Sequence, residues 1–134
     1  MSDSQTMFDT HPRQLGVDAA VLARTVDALV ACANTCTQCA DACLGEDDPA
    51  AQVRCIHRNL DCADICAATA RVLSRRTEPT PDVARAQLQA CIAACDSCAQ
   101  ECEQHAEHME HCRVCAEHCR RCEQACQELL SALG

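Results

Sequence analysis

The segment Cys91-Ile92-Ala93-Ala94-Cys95-Asp96-Ser97-Cys98-Ala99-Gln100-Glu101-Cys102 carries cysteines that follow one another at steps of four, three and four. On an α-helix of about 3.6 residues per turn, these steps keep the thiols within about 60° of one another on one face. The stretch therefore predicts a helix with a row of sulfur atoms along the side that faces the protein core.

The same cysteine row occurs three more times, once with a gap. Two rows are complete and a third carries Asn59 where a cysteine would stand: Cys32, Cys36, Cys39, Cys43; Cys115, Cys119, Cys122, Cys126; and Cys55, Asn59, Cys62, Cys66. The remaining cysteine, Cys112, precedes the last row by three residues. The rows starting at Cys32 and Cys91 are 59 residues apart, and those starting at Cys55 and Cys115 are 60 apart, which indicates a duplicated helical hairpin.

Helix start and stop signals predict an all-α chain. Gly45 is expected to end a helix, and Pro49 and Pro81 are each suited to the first turn of the next one. We predict a polar N-terminal tail over 1–16 and a bundle over 17–134, with helices at about 18–44, 49–75, 81–105 and 110–133. Because the connections are short, the expected architecture is an antiparallel up-down four-helix bundle with a cysteine-lined core.

Composition favours a reduced, cytoplasmic protein. The 134 residues include 16 cysteines, but the N-terminus has no basic and apolar signal-peptide pattern. A disulfide scaffold is not favoured, because such chains are rich in loops and this one has only three Gly and four Pro. No apolar run approaches the length of a membrane span. The net charge of −9, with no basic stripe, argues against nucleic-acid binding.

The two ends of the predicted bundle differ in chemistry. At one end, which we call the mouth end, the last residues of the first and third helices lie beside the first residues of the second and fourth. The side chains expected there are thiols and other soft ligands, namely Cys43, Cys55, Cys102, Cys112, His105, His108, Met109 and His111. The opposite, aliphatic end gathers Val21, Leu29, Leu73, Leu88, Leu129, Leu130 and Leu133. We expect ions to pass only through the mouth end.

Clustered thiolates are ligands for soft metals. Structural zinc favours closed sets of four thiolates, and here the C-x2-C pairs lack the glycines of a zinc knuckle. The compact C-x2-C-x2-C spacing of iron–sulfur proteins is absent. Cu(I) accepts low coordination numbers and bridging sulfurs. If each ion takes two thiolates and each thiolate bridges two ions, a core lined by the cysteine rows would hold about one ion per cysteine. A similar number of Cu⁺ ions would also neutralise thiolates that are too costly to bury alone.

Two other functions stay open from the residues alone. One is a zinc-binding structural helical module, and the other is an iron–sulfur or thiol redox protein. We find no catalytic constellation and expect a binding protein rather than an enzyme.

The C-x3-C-x2-C-x3-C rows, together with a His/Met-bearing loop before the last helix, resemble the bacterial cytosolic copper storage proteins over about residues 18–133. The resemblance implies storage of many Cu(I) ions through the cysteines named above. It further implies uptake at the mouth end through His105, His108, Met109 and His111, and a homotetramer. Copper ions, and a copper chaperone that delivers them, are the expected partners.

Overall fold

The structure, a computed structural model, describes residues 2–133, and the regular elements in that range are all helical. A 3₁₀ turn spans Pro49–Gln52. The α-helices are α1 Asp3–Asp9, α2 Ala19–Leu44, α3 Val53–Ser74, α4 Pro81–His105 and α5 Glu110–Leu133. The expectation of an all-helical chain with a cysteine-rich core is confirmed.

Local chemistry accounts for the helix ends. The Asp18 carboxylate caps α2 by accepting hydrogen bonds from two backbone amides of the first turn, at 2.8 and 3.1 Å. Gly45 follows the last residue of α2, and Pro81 opens α4. The predicted start of the second helix at Pro49 differs from the structure. The 3₁₀ turn at Pro49–Gln52 lies there, and α3 begins at Val53.

Helix α1 lies within the segment that we predicted as a polar tail. The Ser2 hydroxyl caps it by accepting a hydrogen bond from the Gln5 amide at 3.2 Å. Phe8, the one aromatic residue of the sequence, is buried, and α1 packs against α2. A seven-residue helix is too short to display a hydrophobic period, which is why the sequence pattern did not reveal it.

The four long helices join their cysteine faces in one core. Helices α2 and α4 each pack against both α3 and α5. The prediction that no apolar run approaches the length of a membrane span is wrong for α2, which is long and apolar enough to cross a membrane by length and composition alone. Its complete cysteine row is buried inside the protein, as in the core helix of a folded domain.

Leucines fill the core where the cysteine rows stop. Five are almost completely inaccessible to solvent: Leu22, Leu29, Leu73, Leu88 and Leu129. Two buried threonines, Thr25 and Thr69, lie next to them along α2 and α3, and each hydroxyl donates to a backbone carbonyl four residues earlier. The threonines therefore enter the core without leaving a polar atom unpaired.

Leu29→Ala tests this aliphatic packing. Leu29 is fully buried, so its truncation should lower the free energy of unfolding by about 2–5 kcal/mol, measured by chemical denaturation. Leu60→Ala is the control, because Leu60 is 46% exposed and should cost under about 1 kcal/mol. Equal losses for the two variants would contradict the packing described here.

Candidate metal centre

All sixteen cysteines are buried free thiols. Their positions are those predicted from the four rows and Cys112, and α2, α3, α4 and α5 each contribute to them. Among residues 2–133, the buried polar or charged side chains are Thr25, Asn59, Thr69, Arg76 and Glu101, and of these Asn59 stands at a row position. The dominant chemistry of this core is therefore that of sulfur. Because thiols in the neutral state behave as small hydrophobes, such a core is compatible with a folded, metal-free protein.

Sulfur atoms on different helices lie within contact distance. Near the aliphatic end, the Sγ atom of Cys66 is 3.6 Å from that of Cys91 and 3.9 Å from that of Cys122. Further along, the Cys36 and Cys119 sulfurs are 3.6 Å apart. These contacts join the rows across helices, so the sulfurs form a continuous network and not four separate stripes.

The network continues to the mouth end. The Sγ atom of Cys55 lies 3.9 Å from that of Cys102 and 4.0 Å from that of Cys112. Cys39 is 3.8 Å from Cys112. The structure thus brings Cys55, Cys102 and Cys112 together, as the sequence predicted for this end.

Several groups of four ligand atoms are close enough to hold a metal ion, with every atom in a group within 4.8 Å of the others. They include Cys32/Cys66/Cys95/Cys122, Cys32/Cys36/Cys62/Cys119, Cys36/Cys98/Cys115/Cys119, Cys39/Cys55/Cys102/Cys112 and Cys39/Cys43/His111/Cys112. Neighbouring groups share members, such as Cys32, Cys36 and Cys39. Shared thiolates suit bridging between ions, whereas closed tetrahedral zinc sites need four ligands each of their own.

Asn59 occupies the gap in the row on α3 and is fully buried. Its Oδ1 atom accepts hydrogen bonds from the thiols of Cys98 and Cys115, both at 3.0 Å. Its amide nitrogen donates to the Cys55 sulfur at 3.5 Å. The amide therefore fits into the sulfur network as a hydrogen-bonding member, which the spacing alone could not show.

His111 reaches the sulfur network directly. Its Nδ1 atom lies 3.4 Å from the Cys39 sulfur and 3.7 Å from the Cys112 sulfur, and its Nε2 atom lies 2.9 Å from a carboxylate oxygen of Glu46. Partial burial lowers the pKa of His111, but the contacts with Cys39 and Glu46 outweigh it and raise that pKa above its ordinary value.

His105 has a different environment. Its Nε2 atom lies 2.9 Å from the Glu101 carboxylate, whose other oxygen accepts a hydrogen bond from Arg58 at 3.2 Å. Glu101 is buried, with only 5% of its surface exposed. Within residues 2–133, the structure gives His105 no hydrogen bond to a cysteine. The Arg58–Glu101–His105 cluster instead ties α3 to α4 beside the mouth end.

The other predicted mouth residues are divided by exposure. His108 is exposed, whereas Met109 is buried as part of the core cluster. Sequence reasoning missed both carboxylates that hold the histidines, Glu46 and Glu101. Glu101 lies four residues before His105, a spacing that places the two on one helix face, so that signal was present. Glu46 lies in a turn 65 residues from His111, and no local pattern pairs them.

Burial acts to raise the pKa of each thiol, which favours its neutral form. It raises the pKa of the Cys43 thiol, and the nearby Cys55 thiol raises it further. Hydrogen bonds of the Cys126 thiol with Cys122 and Cys91, the latter donated by Cys126, and burial likewise raise the pKa of Cys126. A metal that binds thiolates here must therefore displace protons.

Comparisons with known proteins agree on one family. The model of the copper storage protein family matches residues 18–131. The copper storage protein Ccsp from Streptomyces lividans, loaded with 10 copper equivalents, is 52% identical, with a TM-score of 0.94 over 96% of this chain and 98% of that chain. A cytosolic copper storage protein from Streptomyces lividans with five coppers is 55% identical, with a TM-score of 0.84 over 86% and 96%. The comparison with curated proteins found no match.

The burial of the thiols predicts slow reaction with a thiol reagent. Under native, reduced, metal-free conditions, 5,5′-dithiobis(2-nitrobenzoic acid) should modify few cysteines at first, because none is appreciably exposed. In denaturant the same sample should yield all 16 thiols. Immediate reaction of all the thiols in the native protein would contradict the buried network.

Proposed function

The chain belongs to the copper storage protein family, and from that premise we propose that it stores Cu(I) in the cytosol, binding many ions through thiolates inside its helices. The observation that carries the proposal is the overlap of the four-ligand groups, which share thiols along the core. Cu(I) is a soft ion that tolerates bridging sulfurs, so a shared network can hold ions side by side. The role is one of binding and release, without a catalytic step.

All sixteen cysteines are the proposed ligands of the stored copper. Their burial in one connected network supports this assignment, because no cysteine is left on the surface for another purpose. Charge supports it too, since each thiolate formed in the low-dielectric core needs a cation beside it. A Cu⁺ ion for about every thiolate satisfies that need without importing other charged side chains.

We further propose that the long helices form the antiparallel up-down bundle. Cys55, early in α3, lies 3.9 Å from Cys102, late in α4. Cys66, later in α3, instead lies 3.6 Å from Cys91, early in α4. Sulfur contacts of α2 with α5 follow the same reversed order, in the pairs Cys39–Cys112 and Cys32–Cys119. Antiparallel neighbours give this order, and short connections favour them.

Copper uptake is proposed at the mouth end. His111 is the best-supported first ligand, because its Nδ1 atom already lies 3.4 Å from the Cys39 sulfur. His105, His108 and Met109 are proposed as further ligands that accept the ion from its donor. From the mouth, thiolate exchange would move each ion inward, and the buried leucines close the opposite end to water and ions.

Two partners belong to the proposal. A cytosolic copper chaperone is the proposed donor, because thiols in the cytosol bind Cu(I) and leave little of it free. A homotetramer is the proposed assembly. Exposed apolar side chains, among them Leu44 at 58% and Val53 at 64%, offer surface that contact between copies would cover.

The capacity for Cu(I) tests the storage function. Anaerobic titration of the reduced protein against a competing chelator should reach about one copper per cysteine, hence on the order of 16 ions. The Cys91/Cys95/Cys98/Cys102→Ala variant should lose about four of them, because each thiolate supports about one ion. Saturation of the wild-type protein at two to four equivalents would contradict storage.

A matched control separates lost ligands from lost structure. Gln89→Ala/Gln100→Ala changes exposed residues of the same helix and should leave copper capacity unchanged. Circular dichroism should show both variants as helical as the wild-type protein. An unchanged copper capacity in the cysteine variant would refute the proposal that copper binds in the sulfur network.

Proton release accompanies loading. Because burial keeps the thiols neutral, each Cu⁺ that binds should displace about one proton per thiolate formed. A pH-stat titration at constant pH should therefore consume base in proportion to the copper added. The apparent affinity should also fall as the pH is lowered, because protons compete for sulfur. Loading without proton release would mean that the thiolates exist before copper arrives.

A further inference from the structure

Glu46 is a residue that neither the cysteine pattern nor the proposed ligand set includes. It lies in the turn after α2, and its Oε1 atom is 2.9 Å from Nε2 of His111 on α5. The two side chains are partly exposed, at 40% for Glu46 and 26% for His111. This contact joins the turn to the start of α5 at the mouth end.

The two nitrogens of His111 face different groups. A carboxylate only accepts hydrogen bonds, so in the neutral imidazole Nε2 carries the hydrogen and donates it to Glu46. The lone pair of Nδ1 is then directed at the sulfurs of Cys39 and Cys112, at 3.4 and 3.7 Å. Carboxylates that orient metal-binding histidines do so through this type of contact.

The oriented nitrogen completes a ligand group. Nδ1 of His111 and the sulfurs of Cys39, Cys43 and Cys112 all lie within 4.8 Å of one another. A soft cation among them would meet three sulfurs and one nitrogen at the outermost level of the network. If the ring turned over, Nε2 would face the sulfurs and Nδ1 would face the carboxylate, so the group needs a fixed ring orientation.

A second carboxylate–imidazole pair provides a contrast in the same structure. Glu101 holds Nε2 of His105 at 2.9 Å, but it also accepts a hydrogen bond from Arg58. Among residues 2–133, no hydrogen bond joins His105 to a cysteine, so this pair does not direct a nitrogen into the network. A carboxylate beside a histidine is therefore not sufficient, and the direction of the free nitrogen distinguishes the Glu46 contact.

We propose that Glu46 is a positioning residue for copper uptake, fixing the tautomer and orientation of His111 so that Nδ1, Cys39, Cys43 and Cys112 form the first site that Cu(I) occupies. The inference rests on the proposed storage function and adds to it the residue that prepares the site. Glu46 does not itself touch the metal. Its effect belongs to the first ions taken up, while the total capacity belongs to the cysteines deeper in the core.

The test compares Glu46→Ala and Glu46→Gln with the wild-type protein. Cu(I) is supplied as its complex with bicinchoninate, and stopped-flow absorbance follows its transfer to the reduced, metal-free protein. Glu46→Ala should slow transfer of the first equivalent by about 10-fold or more, a typical effect of removing such a partner. Glu46→Gln keeps an accepting oxygen and should stay within about threefold of the wild-type rate. Final capacity and helicity should be unchanged in both variants.

Controls separate positioning from charge. Asp47→Ala removes a neighbouring exposed carboxylate from the same turn and should leave the rate unchanged. Selective ¹⁵N-histidine NMR gives an independent readout, with the His111 signals assigned from His111→Ala. The Nε2–H tautomer should dominate in the wild-type protein and lose its dominance in Glu46→Ala.

Three results would overturn the inference. They are an unchanged first-equivalent rate in Glu46→Ala, an equal slowing in Asp47→Ala, or an unchanged His111 tautomer in Glu46→Ala. Failure of the storage function is distinguishable, because the wild-type protein itself would then saturate at a few equivalents. A slow Glu46→Ala variant with full capacity would support both proposals.

Discussion

The structure depends on one constraint: sulfur can be buried cheaply only while it is neutral. A protonated thiol packs as a small apolar group, so rows of cysteines can replace the leucines of an ordinary helical core. A thiolate in the same place needs a cation next to it. Such a core is thus compatible with a folded, metal-free protein, and once deprotonated it favours soft monovalent cations at close spacing. The same sixteen cysteine side chains therefore fill the core of the folded protein and favour Cu(I) as the bound ion.

This constraint explains why the protein needs two different ends. Thiol contacts alone leave the core without long aliphatic side chains, and the buried leucines supply that apolar area where the rows stop. The proposed uptake requires the mouth end instead to admit an ion and let a proton leave. His105 and His111 lie beside carboxylates there, and among residues 2–133 His111 is the mouth histidine that contacts the sulfurs. The fully buried leucines lie at one end, and the proposed uptake site lies at the other.

Much of this could be predicted from the sequence because the 4-3-4 cysteine step is periodic and each side chain is chemically distinctive. The step predicted the buried rows, and Gly45 and Pro81 predicted the end of α2 and the start of α4. The features that could not be predicted depend on contacts that leave no periodic pattern in the sequence. Helix α1 is held by a single buried Phe8. Glu46 contacts His111, which is 65 residues away in the sequence. The role of Asn59 follows only from its hydrogen bonds to Cys98 and Cys115.

Asn59 also shows where pattern and chemistry differ. The cysteine spacing alone marks position 59 as a missing ligand, whereas the amide oxygen of Asn59 accepts hydrogen bonds from two thiols at 3.0 Å.

Whether copper lies along the sulfur network is best tested by anomalous diffraction at the copper edge from crystals of the loaded protein. We expect a chain of copper peaks between Cys43 and Cys126, bridged by thiolates of different helices. Peaks confined to surface histidines and carboxylates, with the core sulfurs unliganded, would contradict it.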